Sequence, residues 1–134
     1  MRKILALLCF GFGLGFAHAG AAERLACHYT YGGETQTLTA EAVASSYKVE
    51  PIAVGSYFLF RAVYEAPKAQ ERSAKIYVYA DLAEGPSLIH QATYLRPEAM
   101  RRKTRFGFTG EQRVYEPARD GEIQYWCEMQ RGKS

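Results

Sequence analysis

Only three cysteines, three histidines and one tryptophan occur among the 134 residues, and those shortages exclude several chemistries. No Cys-x-x-Cys pair is present, so neither a dithiol redox centre nor a zinc ribbon can be built. Scarce histidine and the lack of an ordered acidic loop leave no ligand set for zinc or calcium. A Gly-x-Ser-x-Gly turn is missing, and Ser45, Ser46, Ser56, Ser73 and Ser87 all lie in other settings, so a serine triad is unsupported. Gly11-Phe12-Gly13-Leu14-Gly15 sits inside an apolar stretch and Gly32-Gly33 precedes no helix, so no phosphate-binding loop and no cofactor are expected. Neither sign of charge dominates: 17 Lys and Arg against 14 Asp and Glu give +3. Without an extended basic face, nucleic acid is not an expected partner.

Long apolar runs are also missing, with one exception. Met1-Arg2-Lys3 is followed by the apolar stretch Ile4 to Phe16 and then Ala17-His18-Ala19, the order of a signal peptide cleaved after Ala19. The run is roughly 13 residues, short of the ~20 needed to span a bilayer as a helix, so no transmembrane anchor is expected after cleavage. Glu23 and Arg24 spoil the approach to Cys27 as a lipidation site. The expected working form is residues 20–134, a single periplasmic or secreted domain. Loss of Arg2 and Lys3 takes its formal charge from +3 to +1.

Cys9 leaves with the signal, and Cys27 and Cys127 are then the only two that can pair outside the cytosol. Closing a loop of about 100 residues would stabilise the fold by up to roughly 4–5 kcal/mol on the chain-entropy model.

What is abundant is tyrosine, phenylalanine, valine and threonine, punctuated by turn residues at short intervals, which points to an all-β chain. Leu25, Cys27, Tyr29 and Tyr31 alternate with Ala26, His28 and Thr30, and Gly32-Gly33 turns into Glu34–Ala40 as a hairpin. The stretch from Glu41 to Ile52 reads as irregular or extended, with Pro51 against a helix. In Tyr57–Tyr64, Phe58, Phe60 and Ala62 share a core face. Ile76, Val78 and Ala80 do so in Lys75–Asp81, leaving Tyr77 and Tyr79 outside. A turn at Glu84-Gly85-Pro86-Ser87 leads to Leu88–Leu95, where His90 shares a face with Leu88, Ala92 and Tyr94. Gln112–Glu116 and Glu122–Met129 complete the set, with Ile123, Tyr125 and Cys127 facing inward. The reading is an antiparallel β-sandwich of about seven to eight strands, the alternative being a partly closed β-barrel.

Two surface features are candidates for binding. Arg96, Arg101, Arg102, Lys103 and Arg105 form a basic connector suited to anions, with a solvated loop as the competing explanation. Tyr57, Tyr77, Tyr79 and Trp126 offer outward aromatic area, against which stands ordinary cross-strand packing. His28 and His90 lie inside strands and are expected to be structural. Glu111, Glu116 and Asp120 lie in turns and are expected to serve solubility.

The segments Phe60-Arg61-Ala62-Val63-Tyr64, Lys75-Ile76-Tyr77-Val78-Tyr79, Leu88 to Tyr94, Thr109 to Tyr115 and Tyr125-Trp126-Cys127 resemble exported bacterial proteins of unknown function. That resemblance implies export and a shared small disulfide-linked β-domain, and no activity. In size and compartment the chain is also similar to small periplasmic lysozyme inhibitors. The expected function is a non-enzymatic binding or accessory protein of the cell envelope, its partner an envelope protein or an anionic envelope component. An inhibitor of the lysozyme-inhibitor kind and a cryptic hydrolase are the alternatives, the latter requiring His28 or His90 to meet a carboxylate and a nucleophile.

Overall fold

The computed structural model describes residues 22–68, 71–100 and 104–132. Residues 1–19, expected above to be a signal peptide, and three of the connector cations, Arg101, Arg102 and Lys103, lie outside the described residues.

Nine strands form two sheets. β1 (Glu23–Tyr31), β2 (Glu34–Ala40), β8 (Gln112–Glu116) and β9 (Gly121–Arg131) build a four-stranded sheet in the order β2-β1-β9-β8. The second sheet follows the order β3-β5-β6-β7 and contains β3 (Ala42–Val43), β5 (Phe58–Glu65), β6 (Ser73–Leu82) and β7 (Gly85–Leu95). β4 (Ile52–Val54) pairs antiparallel with the first half of β5, while β3 runs parallel to its end. These two short strands come from the stretch expected to be irregular or extended, which is why the sandwich has nine strands rather than seven or eight. Neither sheet closes on itself, so the barrel alternative does not hold.

Alternation explains the core. Leu25, Cys27, Tyr29, Ile123, Tyr125 and Cys127 face Phe58, Phe60, Ala62, Ile76 and Val78, all of them buried. Phe60 is central, with its ring 5.4 Å from that of Tyr29 and 5.5 Å from that of Tyr125. Burying one such side chain contributes about 1.5–3 kcal/mol.

Cys27 and Cys127 sit directly opposite each other on neighbouring strands, bonded, with Cα atoms 4.1 Å apart. The first and last strands are thus sheet neighbours, and the disulfide lies within one sheet rather than across two. Crosslinks of this kind are typical of proteins outside the reducing cytosol.

The turn before β7 is two residues, Ala83 and Glu84, with Gly85 and Pro86 already inside the strand opposite Leu82 and Asp81. Further along, the alternation of β7 breaks. Val78 pairs with His90 but Tyr79 pairs with Leu88, so Ile89 is an extra residue in a β-bulge. The bulge turns Leu88 outward, 48% exposed, while His90 stays inside. The expected common face of Leu88 and His90 is therefore corrected.

Glu116 is also corrected: it is 1% exposed rather than a solubilising turn carboxylate. Its carboxylate accepts the backbone N–H groups of Ala118 and Arg119 and the Arg119 Nε–H. Arg119 then reaches the other sheet, donating to the carbonyls of Asp81 and Tyr57 and covering the Tyr57 ring at 4.2 Å. The β8–β9 turn is pinned to the start of β5 and the end of β6 by this pair.

Candidate functional site

Beyond Gln112, where β8 begins opposite Tyr125, this edge of β9 has no strand partner among the described residues. The segment from Thr104 to Gly110 takes its place. Phe108 N–H donates to the Cys127 carbonyl at 3.1 Å, and Cys127 N–H donates to Thr109 Oγ1 at 2.8 Å. Gly107 makes this approach possible: its φ is +58°, and a Cβ there would lie 2.1 Å from the Cys127 carbonyl oxygen. No other residue fits. The two phenylalanines flanking Gly107 consequently part company. Phe108 packs edge-on to Tyr94 at 5.3 Å on the core side, and Phe106 packs edge-on to Trp126 at 6.3 Å on the outer face.

On that outer face the register of β1 and β9 sets His28 opposite Trp126 and Thr30 opposite Gln124. The His28 ring stacks on the indole with centroids 4.0 Å apart. Its Nδ1 is 2.8 Å from Thr37 Oγ1 and its Nε2 is 3.0 Å from Glu128 Oε1. Thr30 and Thr35 hydroxyls meet at 2.7 Å. His28, Thr30, Thr35, Gln124 and Trp126, together with Arg105, Phe106 and Glu111, line a concavity of about 230 Å³. The indole is held from both sides, so little side-chain entropy remains to be lost when a ligand arrives.

Arg105 lies over the Phe106 ring at 5.1 Å. Among the described residues it has no carboxylate partner, whereas Glu111 binds Arg113 at 2.9 Å and 3.1 Å. One connector cation and one outward aromatic, Arg105 and Trp126, are thereby brought together. The remaining candidates are dispersed. Arg96 sits at the end of β7 with φ +51°. Tyr77 and Tyr79 lie on the outer face of the other sheet, 6.3 Å apart, with Arg61 over Tyr77 at 4.7 Å. Tyr57 is covered by Arg119 at the end of the sandwich. These three tyrosines are packed against neighbours rather than assembled into one platform.

Sequence reasoning missed His28, Phe106, Gln124 and the two threonines as parts of one surface. The alternating pattern showed which of them point outward. Nothing local showed that residues 28, 106 and 126 meet, because their approach depends on which strands are neighbours.

The other histidine among the described residues, His90, points into the sandwich, where its Nε2 is 2.6 Å from the Tyr125 hydroxyl. Burial lowers its pKa below 6.5 and likewise raises the Tyr125 phenol well above 10. The pair meets no carboxylate and reads as a satisfied polar contact in the core. Among the described residues no cluster of His, Cys, Asp or Glu could hold a metal ion.

Comparison with protein-family models, with curated proteins and with solved structures finds no match to this chain. What the fold carries by itself is a small β-domain linked by the Cys27–Cys127 disulfide.

Proposed function

We propose that the protein is a non-enzymatic binding domain of the cell envelope, exported by its N-terminal segment, and that it binds through the outer face of the β2-β1-β9-β8 sheet. The observation that carries this reading is the preorganised concavity around Trp126. An aromatic pair, a cation with no carboxylate partner among the described residues and several hydroxyl and amide groups converge there from β1, β2, β9 and the Thr104–Gly110 segment. Such a mixture of flat apolar area and directed polar groups is what ligand sites contain. A core-packing role would leave Phe106 and Arg105 without purpose, since both lie outside the sandwich interior.

The test is cosedimentation of the oxidised protein with isolated envelope fractions. Phe106→Ala and Arg105→Glu are expected to weaken retention by about tenfold or more, an amount in keeping with loss of one buried contact at a binding site. Leu88→Ser, on the opposite sheet, is expected to leave retention unchanged. Equal retention of all four proteins, or none of any, would sink the proposal.

One observation favours a second reading. Thr37, His28 and Glu128 form a hydroxyl–imidazole–carboxylate chain, the order of groups in a hydrolytic triad. Against it, Thr37 is exposed on an edge strand, in open solvent and on no strained turn, where an attacking oxygen would gain little from its surroundings. Hydrolysis of simple aryl esters that disappears in His28→Ala would favour the enzyme; the expected result is no difference from buffer.

A further inference from the structure

We infer that the ligand of the Trp126 concavity is a saccharide unit carrying a single carboxylate, a uronic acid by chemical class. This rests on the binding role proposed above and assigns its ligand. Three observations lead to it.

The first is size. A volume of about 230 Å³ falls below the roughly 300–1,000 Å³ of clefts that enclose drug-sized molecules. One ring fills it, whereas a folded peptide or a lipid chain would lie mostly outside.

The second is the division of the lining. Phe106 and the exposed part of Trp126 supply apolar surface on which the C–H face of a pyranose can rest. Thr30, Thr35 and the Gln124 amide supply paired donors and acceptors of the kind that ring hydroxyls exchange. An acyl chain would offer these groups nothing beyond the bonds they already make, Thr30 to Thr35 and Gln124 to Glu122, and each donor or acceptor left dry costs about 1–3 kcal/mol.

The third is charge. Arg105 is a planar fork with no carboxylate partner among the described residues, and it stands at the rim beside Phe106. A guanidinium pairs with a carboxylate through two parallel hydrogen bonds. The lining also carries negative charge in Glu111, which is engaged by Arg113. Among the described residues, one negative charge on the ligand is matched by Arg105, while a second meets the Glu111 carboxylate. Phosphorylated sugars are thereby disfavoured relative to uronic acids.

Trp126 is the sole tryptophan of the chain, so its intrinsic fluorescence reports on this site alone. The oxidised protein, expressed from its full-length sequence, is titrated with glucuronic acid, glucose, sodium acetate and inorganic phosphate. The expected result is a saturable change with glucuronic acid. Glucose and acetate should each bind at least about tenfold more weakly, a difference of about 1.4 kcal/mol, and phosphate should not compete. Arg105→Gln should bring glucuronic acid down to the level of glucose. Equal affinity for glucose and glucuronic acid, competition by phosphate, or an unaltered preference in Arg105→Gln would each overturn the inference. If no sugar changes the fluorescence while envelope cosedimentation still depends on Phe106, the ligand assignment is wrong and the binding role stands. If both assays are silent, both fall.

Discussion

His90 is the residue through which acid should act on this fold. In the unfolded chain an imidazole gains its proton near pH 6.5, whereas burial holds the folded ring neutral to lower pH. Proton uptake therefore favours unfolding. The contribution of His90 is complete above pH 6.5 and is lost progressively as pH falls toward the folded value. Melting temperatures measured between about pH 8 and about pH 5 should decline less steeply in His90→Gln, whose amide can still meet the Tyr125 hydroxyl. Identical slopes would show that the His90 ring titrates normally. Glu65 acts in a separate, more acidic window: the hydrogen bond from Lys75 lowers its pKa below 4.5, so its contribution is present at neutral pH and fades below that value. Position His90 also shows what alternation can and cannot tell. The inward direction of the ring was readable from its neighbours Ala92 and Tyr94. The outward turn of Leu88 was not, because a single inserted residue changes the phase of everything before it.

At the scale of elements, the segment from Thr104 to Gly110 does more than connect strands. Its backbone completes the edge of β9, and its two phenylalanines reach opposite faces of the same sheet. Gly107→Ala places a methyl group against the Cys127 carbonyl and forces a left-handed backbone on a residue that resists it. The expected cost is about 1–3 kcal/mol, read as a lower midpoint in urea unfolding. The same change should weaken ligand binding, since Phe106 loses its support. A second element depends on an ion pair. Removing the Arg119 side chain leaves the buried Glu116 with only its two backbone donors, and Arg119→Ala should cost about 2–4 kcal/mol by the same measurement. Arg119→Lys should recover little of it, because a lysine cannot bridge a carboxylate and two carbonyls at once. In the sequence, Phe106-Gly107-Phe108 was no more than the stretch that follows the basic connector. The purpose of the glycine became clear only with β9 beside it, and the charge of the connector drew attention to lysine and arginine rather than to the phenylalanines that anchor it.

For the whole molecule, sandwich architecture was legible because period-two patterns and turn residues recur at short spacing, and both cysteines fell on inward positions of the first and last strands. Strand order was not legible, and the binding surface depends on it: residues 28, 106 and 126 are neighbours only because β1 lies beside β9 and the Thr104–Gly110 segment continues that edge. The disulfide across those strands closes a sequence separation of 100 residues. Replacing both cysteines by alanine should lower stability by up to about 4–5 kcal/mol while leaving the strand pairing intact. The β1–β9 pairing continues to the ends of both strands, where Gly132 N–H donates to the Ala22 carbonyl at 2.7 Å. Residues 22 and 132 are consequently adjacent points on what is topologically a ring. A short linker between them, with the chain reopened at the exposed Gly32–Gly33 turn, defines a circular permutant that keeps every strand pair except the hairpin connection itself. Ala22 and Gly132 also lie at one pole of the sheet, while the concavity begins at His28, about 20 Å along β1 from Ala22 at the usual rise of a strand. A tether attached at that pole therefore leaves the site free to face outward.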